Sequence, residues 1–495
     1  MIFNKIKFGY KEKIYTLILT LLLFLVINFS RLNIGTYNLE WYFVELSKYF
    51  NNKNYFFDIF LFKQNQANTT FYSFILSFFN YSEDLYYQNI ILFRIFNFVP
   101  FTILFLYIYK NINLDFEKKS ILLLLILFCP IITVYSFRIY PDFLSASFSW
   151  LSLILLINKN KNLSIIFFSI SFLIKPVSII LSPLFIFITN DLYKNERKNV
   201  ILKFIFFNIV SYILYLLLVE KIIFGSYYET TYLKINPLNI FLNFFYYYNY
   251  SILLILPVIS YLFFENLKKK ITYNIFLVIF ASTLLSTVLF YFSFKNGEMN
   301  YGYINKLLKN NIFLFILVFI NTFLSIIFFN ISIKSKKTKK PFLYFLISIL
   351  FLAILISRPT QRYLIYLLPL LFIIVIEHYY YKKILLRISI VFYMIIFSLI
   401  TFGQKLIQEK YYKSADKIII FIDDNKLFDN TNPGEIYHSH GYLFKKFLNF
   451  EIKKKKQLNY RYKIDNCYTN ENIIIKKNIN ILNRNFKNIC LVEKY

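Results

Sequence analysis

The residues able to do chemistry in this chain are few, charged, and placed at the ends of apolar stretches. FRIYPDF, residues 137–143, carries Arg138 and Asp142 with almost no loop between two apolar segments. FLIKPVSIILSPLF, residues 172–185, sets Lys175 between two apolar halves, too far from their ends to be a simple snorkelling lysine. SRPTQRYLIYLLPLL, residues 357–371, carries Arg358 and Arg362 at the mouth of two more. Charges at such depth are costly unless they are paired or functional. Arginine grips phosphate oxygens with a planar, two-pronged donor set. Arg138, Lys175, Arg358 and Arg362 therefore suit a phosphate or diphosphate near a lipid surface. For Arg138 and Asp142 a purely structural ion pair is the competing reading.

The candidate base lies earlier in the chain. A first apolar segment, residues 14–30, is followed by a long polar loop, residues 31–87. Within it Leu39, Tyr42, Phe43, Leu46, Tyr49 and Phe50 recur at three- and four-residue steps, the pattern of a helix lying on a membrane. Glu40, Ser47, Lys48 and Asn51 fall on another face. Phe71, Phe74, Ile75, Phe78 and Phe79 form a second apolar stripe, with Thr70, Ser73 and Ser77 opposite. Two such helices would hold a carboxylate at headgroup depth. The alternative is that Glu40 is a solvated surface charge. Glu45, Asp58 and Asp142 are the reserve carboxylates.

The elements that must position these residues are membrane helices. Hydrophobic residues make up 58% of the 495 positions, and mean hydropathy is +0.52. Apolar stretches recur from end to end without the two-residue alternation of a barrel, so the chain reads as an all-α polytopic membrane protein of about 11–13 transmembrane segments. The segments fall near 14–30, 88–109, 120–137, 142–157, 163–174, 176–189, 200–220, 249–264, 271–294, 311–333, 341–357, 363–380 and 384–402. The pair around Lys175-Pro176 reads as a broken hairpin, because proline disrupts a helix interior.

The net charge of +30 does not point to nucleic acid, because the basic residues are spread among loops. They are dense in KNINLDFEKK, NKNKN, DLYKNERKN, ENLKKK, KSKKTKK and YKKILLR, which the positive-inside rule puts in the cytoplasm. That orientation leaves residues 31–87 and the C-terminus on the extracytoplasmic side. The first segment has no small-residue cleavage site and reads as an anchor.

Residues 1–403 thus form a transmembrane domain, and 404–495 a small mixed α/β extracytoplasmic domain of short β-branched runs between Asn, Asp and Gly turns. Outside the cytoplasm, Cys467 and Cys490 would be free to pair or to stay as thiols. His378 beside Glu377, and His438 with His440, make no metal signature.

The order NLEWYFVELSKYF, RIYPDFLSASF, FLIKPVSIILSPLF, RPTQRYLIYLLPLL resembles the GT-C glycosyltransferase superfamily, over roughly residues 14–403. Within it the likeness is to polyprenyl-phosphate-sugar-dependent transferases of the protein mannosyltransferase-like and aminoarabinose-transferase-like kind. The resemblance implies a bacterial inner-membrane enzyme that moves a sugar from a polyprenyl-phosphate donor to a lipid, glycan or protein acceptor, with inversion. It implies Glu40 as general base, although Asn38 and Leu39 stand where many members carry a further acidic residue. A divalent metal occurs in relatives; no carboxylate cluster here argues for one. The competing readings are an O-antigen polymerase or ligase, whose large outer loop comes late in the chain, and a lipid-linked saccharide flippase, which would show internal repeats.

Overall fold

The computed structural model describes residues 18, 21–22, 24, 43–44, 47, 70–79, 86–111, 115–217, 236–259, 274–290, 311–356, 360–379, 387–403, 406, 436–438, 462–466, 472–481 and 484–493. Glu40, Glu45, Asp58, Arg358 and Cys467 lie outside them, as do segment 14–30 for the most part and most of loop 31–87.

The described chain is mostly helical. Its helices are α1 Thr70–Ser77, α2 Tyr86–Asn111, α3 Phe116–Phe128, α4 Pro130–Ser136, α5 Pro141–Ile157, α6 Lys161–Ile174, α7 Ser182–Leu192 and α8 Arg197–Leu217. They continue as α9 Pro237–Leu254, α10 Asn274–Leu289, α11 Asn311–Lys334, α12 Lys339–Leu355, α13 Leu368–Tyr379 and α14 Arg387–Gly403. Two 3₁₀ turns, Pro176–Leu181 and Gln361–Tyr366, interrupt the series.

Arg197–Tyr215 and Asn311–Lys334 are long and apolar enough to cross a bilayer. The pair Phe116–Phe128 and Pro130–Ser136, bent by 65°, makes a third if it is one span. The other apolar helices are shorter, among them Pro141–Ile157, Lys161–Ile174 and Arg387–Gly403. Large apolar side chains stand exposed along whole helix faces: Leu202, Phe206, Ile209 and Ile213 on α8, Ile312, Phe313, Ile316 and Ile320 on α11, Ile388, Phe392, Ile395 and Leu399 on α14. A water-facing helix would carry charge at such positions. These faces are compatible with lipid, and the chain reads as a membrane protein.

Two elements depart from the sequence expectation. The apolar run 120–137 does not form one straight helix. Pro130 lacks an N–H, Cys129 turns extended, and the helix restarts with Pro130 at its first position. The helix expected at 249–264 begins far earlier, at Pro237, capped by the Asn236 side chain on the Leu238 N–H at 3.0 Å. Its first half, NIFLNFFYYYNY, reads as half-polar because tyrosine carries a hydroxyl. Those hydroxyls are satisfied inside the protein: Tyr248 donates to the Ser325 carbonyl at 2.9 Å, Tyr250 to Gln361 Oε1 at 3.1 Å, and Tyr247 accepts from the Thr360 N–H at 3.0 Å.

α5 and α6 pack as a close antiparallel hairpin. Ser145 donates to the Ser171 carbonyl at 2.9 Å and Ser152 to the Ser164 carbonyl at 2.7 Å, with the return bonds at 2.9 Å and 2.8 Å. Small hydroxylic side chains let two backbones approach where larger ones would hold them apart. In the tail, strands β1 Ile436–His438, β2 Tyr462–Asn466, β3 Asn472–Ile481 and β4 Arg484–Glu493 form one sheet in the order β1-β2-β4-β3, parallel between β1 and β2 and antiparallel elsewhere.

Candidate functional site

The serine register of α5 and α6 brings the first two charged motifs to the same level. With Ser145 opposite Ser171, Asp142 comes level with Ile174, one residue from Lys175. α6 ends there because Lys175 is extended and Pro176 follows. Lys175 is only 4% exposed, and no carboxylate of the described residues lies within ion-pair distance of it. A buried lysine at a helix break is costly unless its head group is met by a partner or a ligand.

Arg362 arrives from the other end of the sequence. It sits in the 3₁₀ turn Gln361–Tyr366, which is held from two sides. Trp150 of α5 donates to the Tyr366 carbonyl at 2.6 Å. From α9, Asn243 donates to the Ile356 carbonyl at 2.6 Å, and Tyr247 and Tyr250 bind Thr360 and Gln361. Arg362 Nε then lies 3.9 Å from Asp142 Oδ2, an ion pair but not a hydrogen bond. Its guanidinium also lies 5.9 Å from the Tyr140 ring and 5.2 Å from the Tyr363 ring, within cation–π range. Asp142 is fully buried, whereas the Arg362 side chain keeps 20% of its surface.

The ion-pair partner of Asp142 is therefore Arg362, not Arg138. The Arg138 guanidinium lies 5.4 Å from the Tyr135 ring, and its carbonyl accepts from Asn97 Nδ2 at 2.6 Å. Asn97 in turn bonds the Tyr72 hydroxyl at 2.8 Å, so α1 of the first loop is tied to the α4–α5 turn. Phe43, Val44, Tyr72 and Leu76 pack with Tyr140 and Ile174 in one buried cluster. These described residues of the first loop thus pack against the end of α5 and α6 that carries Asp142 and Lys175.

Phe43, expected to face the membrane, instead meets Tyr72 and Tyr140 edge-on at 5.4 Å and 5.7 Å. Ser47, expected on the polar face beside Glu40, is fully buried. In α1 the serine side turns inward, with Ser73 and Ser77 buried, while Phe78 stands exposed.

Sequence reasoning passed over Arg94, Asn97, Tyr72 and Tyr366. Arg94 is 2% exposed on α2, one turn before Asn97. It was detectable as a lone cation inside the apolar run IILFRIFNFVPF. Tyr366 carried no signal, because an apolar run of LIYLLPLL gives no sign that its carbonyl is the one Trp150 reaches. Among the described residues no group of three His, Cys, Asp or Glu side chains could hold a metal ion. A cavity of about 20 Å³ lies deeper along α5, lined by Phe101, Ile132, Phe143, Trp150 and Ile365 among others; it is apolar and has room for no substrate.

Chemically, the described residues offer one buried carboxylate with a guanidinium beside it, and a buried lysine near the same level, at the end of an apolar bundle. No protein-family profile, curated protein or solved structure matches this chain.

Proposed function

We propose that this protein is an integral-membrane glycosyltransferase that moves a sugar from a polyprenyl-phosphate donor to an acceptor on the extracytoplasmic face of a bacterial inner membrane. The observation that supports this reading is the Arg362–Asp142 pair, with buried Lys175 one residue past the level of Asp142, at one end of an apolar helical bundle. A transport path would instead need ionisable groups along the bundle axis.

In this reaction the acceptor oxygen forms a bond to the anomeric carbon as the bond from that carbon to the phosphate oxygen breaks. The acceptor proton passes to Glu40, and the electron pair leaves with polyprenyl phosphate. Such a base contributes about 10²- to 10⁴-fold to the rate. Arg362 and Lys175, with Arg138 and Arg358 nearby in the sequence motifs, stabilise the charge growing on the departing phosphate. Inversion follows from the single displacement.

The test is chemical. Glycolipids extracted from a strain lacking the gene, and from the same strain carrying wild type or Glu40→Gln, are compared by mass spectrometry. One sugar-bearing species should vanish without the gene and stay absent with Glu40→Gln, while the polyprenyl-phosphate sugar accumulates. An unchanged glycan profile in the deletion strain overturns the proposal.

A further inference from the structure

The end of α5 away from Asp142 lies in a surface with an excess of positive charge. α5 is about 25 Å long, comparable with the hydrocarbon core of a bilayer. Three turns meet at its far end. The Tyr193 hydroxyl, just after α7, donates to the Leu156 carbonyl of α5 at 2.7 Å. Lys161, at the start of α6, is paired with Glu196 in the α7–α8 turn. Lys340, at the start of α12, is paired with Asp191 of α7, which also accepts from the Tyr344 hydroxyl at 3.0 Å. The Tyr344 ring stacks on Phe187 of α7 at 4.8 Å. Residues 157–161, 191–198 and 334–340 are thus one surface, holding ten basic residues against two acidic ones. Both acids are engaged, Asp191 by Lys340 and Glu196 by Lys161. Lys194, Arg197, Lys198, Lys336 and Lys339 are exposed, and none has a carboxylate of the described residues within ion-pair distance. The contacts from α3 to α13 and α14 are balanced by contrast: Lys118 meets Glu377 at 3.0 Å, and Arg387 meets Glu117 at 2.7 Å.

Charge alone would suit any polyanion. The side chains next to the cations narrow the choice. On α8, Lys198 is followed on the same face by Leu202 and Phe206, 66% and 61% exposed, and then by Ile209. On α12, Lys339 is followed on the same face by exposed Leu343 and Leu350. A cation set directly at the end of an exposed hydrocarbon stripe matches a molecule with an anionic head and acyl chains. A nucleic acid or an acidic protein would meet the cations and leave the stripes bare. A zwitterionic lipid would cover the stripes and bring the cations no net charge. We infer that this surface binds anionic phospholipid, with the headgroup phosphates on the lysines of the three turns and the acyl chains along α8 and α12. The inference uses the membrane reading of the chain and is independent of the glycosyltransferase proposal.

The experiment titrates the purified full-length protein, in an uncharged detergent at about 0.1 M salt, with phosphatidylglycerol and with phosphatidylcholine of the same acyl chains. Native mass spectrometry counts the lipids bound. Wild type should prefer phosphatidylglycerol by about 10-fold or more, since each cation near a headgroup is worth about fivefold. Raising the salt to about 1 M should cut that preference to about threefold or less. So should the combined variant Lys194→Gln, Lys198→Gln, Lys336→Gln and Lys339→Gln, which removes exposed charges and should keep the wild-type melting temperature. A second variant, with Lys453, Lys454, Lys455 and Lys456 of the tail changed to Gln, loses the same net charge and should keep the preference. A wild type that binds both lipids alike overturns the inference. So does an equal loss in the two variants, which would reduce the effect to net charge. Displacement of phosphatidylglycerol from wild type by a single-stranded oligonucleotide would overturn it in favour of a polynucleotide partner.

Discussion

Arg362 and Asp142 stand 3.9 Å apart although the sequence places 219 residues between them, and only one of the two reaches the surface. The pair joins the start of α5 to a late 3₁₀ turn. Removing the arginine alone would strand a buried carboxylate, whereas removing both would not.

Arg362→Ala should therefore lower the stability of the detergent-solubilised protein by about 1–3 kcal/mol. Adding Asp142→Asn to that variant should restore more than half of the loss. Thermal melting of the two singles and the double, read as a cycle, measures the coupling. An additive double variant would mean that the two side chains act independently.

Trp150 donates to the Tyr366 carbonyl at 2.6 Å from a buried position on α5. Trp150→Phe keeps an aromatic ring and loses the donor, so it should cost about 1–3 kcal/mol. It should also weaken farnesyl phosphate binding, because the turn bearing Arg362 loses its hydrogen bond to α5 and is held from the α9 side alone. Melting and titration of the same preparation separate the two effects.

The α5–α6 seam depends on small side chains. Ser171 lies between Ser145 and Ser149, fully buried. Ser171→Leu should force the helices apart and destabilise the protein by about 1–3 kcal/mol or more, while Ser171→Ala should cost less. Lys175 shares the displaced helix end, so the leucine variant should also lose anion affinity. A leucine variant as stable as wild type would contradict the close packing.

Orientation is testable with fusions. A reporter joined after Tyr495 should read as extracytoplasmic, and one inserted in the Ser335–Thr338 turn as cytoplasmic. A cytoplasmic reading after Tyr495 would reverse the side on which Arg362 opens.

Glu196 provides a contrast. It lies in the turn between α7 and α8, exposed, with Lys161 hydrogen-bonded to it. That contact holds its carboxyl below the usual carboxylate range. The lowered value means that the contribution is present above the ordinary carboxylate pKa and is lost as pH falls through the folded one. Because the pair is solvated, Glu196→Gln should leave the melting temperature at neutral pH unchanged within error.

The helices themselves were readable from the residues. Apolar runs at 142–157, 163–174 and 311–333 match α5, α6 and α11 closely, because a backbone without water must satisfy its own hydrogen bonds and a helix does so locally. Lys175-Pro176 marked the break after α6, since a proline ring constrains the residue before it as well as its own nitrogen. The individual chemistry of Asp142, Lys175 and Arg362 was readable too, because a charge in an apolar setting stands out by type alone.

What the residues could not settle was partnership. Arg138 lies four positions before Asp142 and was the natural local candidate, yet Arg362 takes the contact. That choice depends on the serine register of α5 against α6, on Trp150 reaching the Tyr366 carbonyl, and on the tyrosine stripe of α9 holding the chain from Ile356 to Gln361. Each is a contact between segments distant in sequence, and hydropathy records only how apolar a segment is, not which neighbour it meets. For the same reason the first half of α9 passed as a loop. A tyrosine counts as half-polar until a folded neighbour accepts or supplies its hydrogen bond.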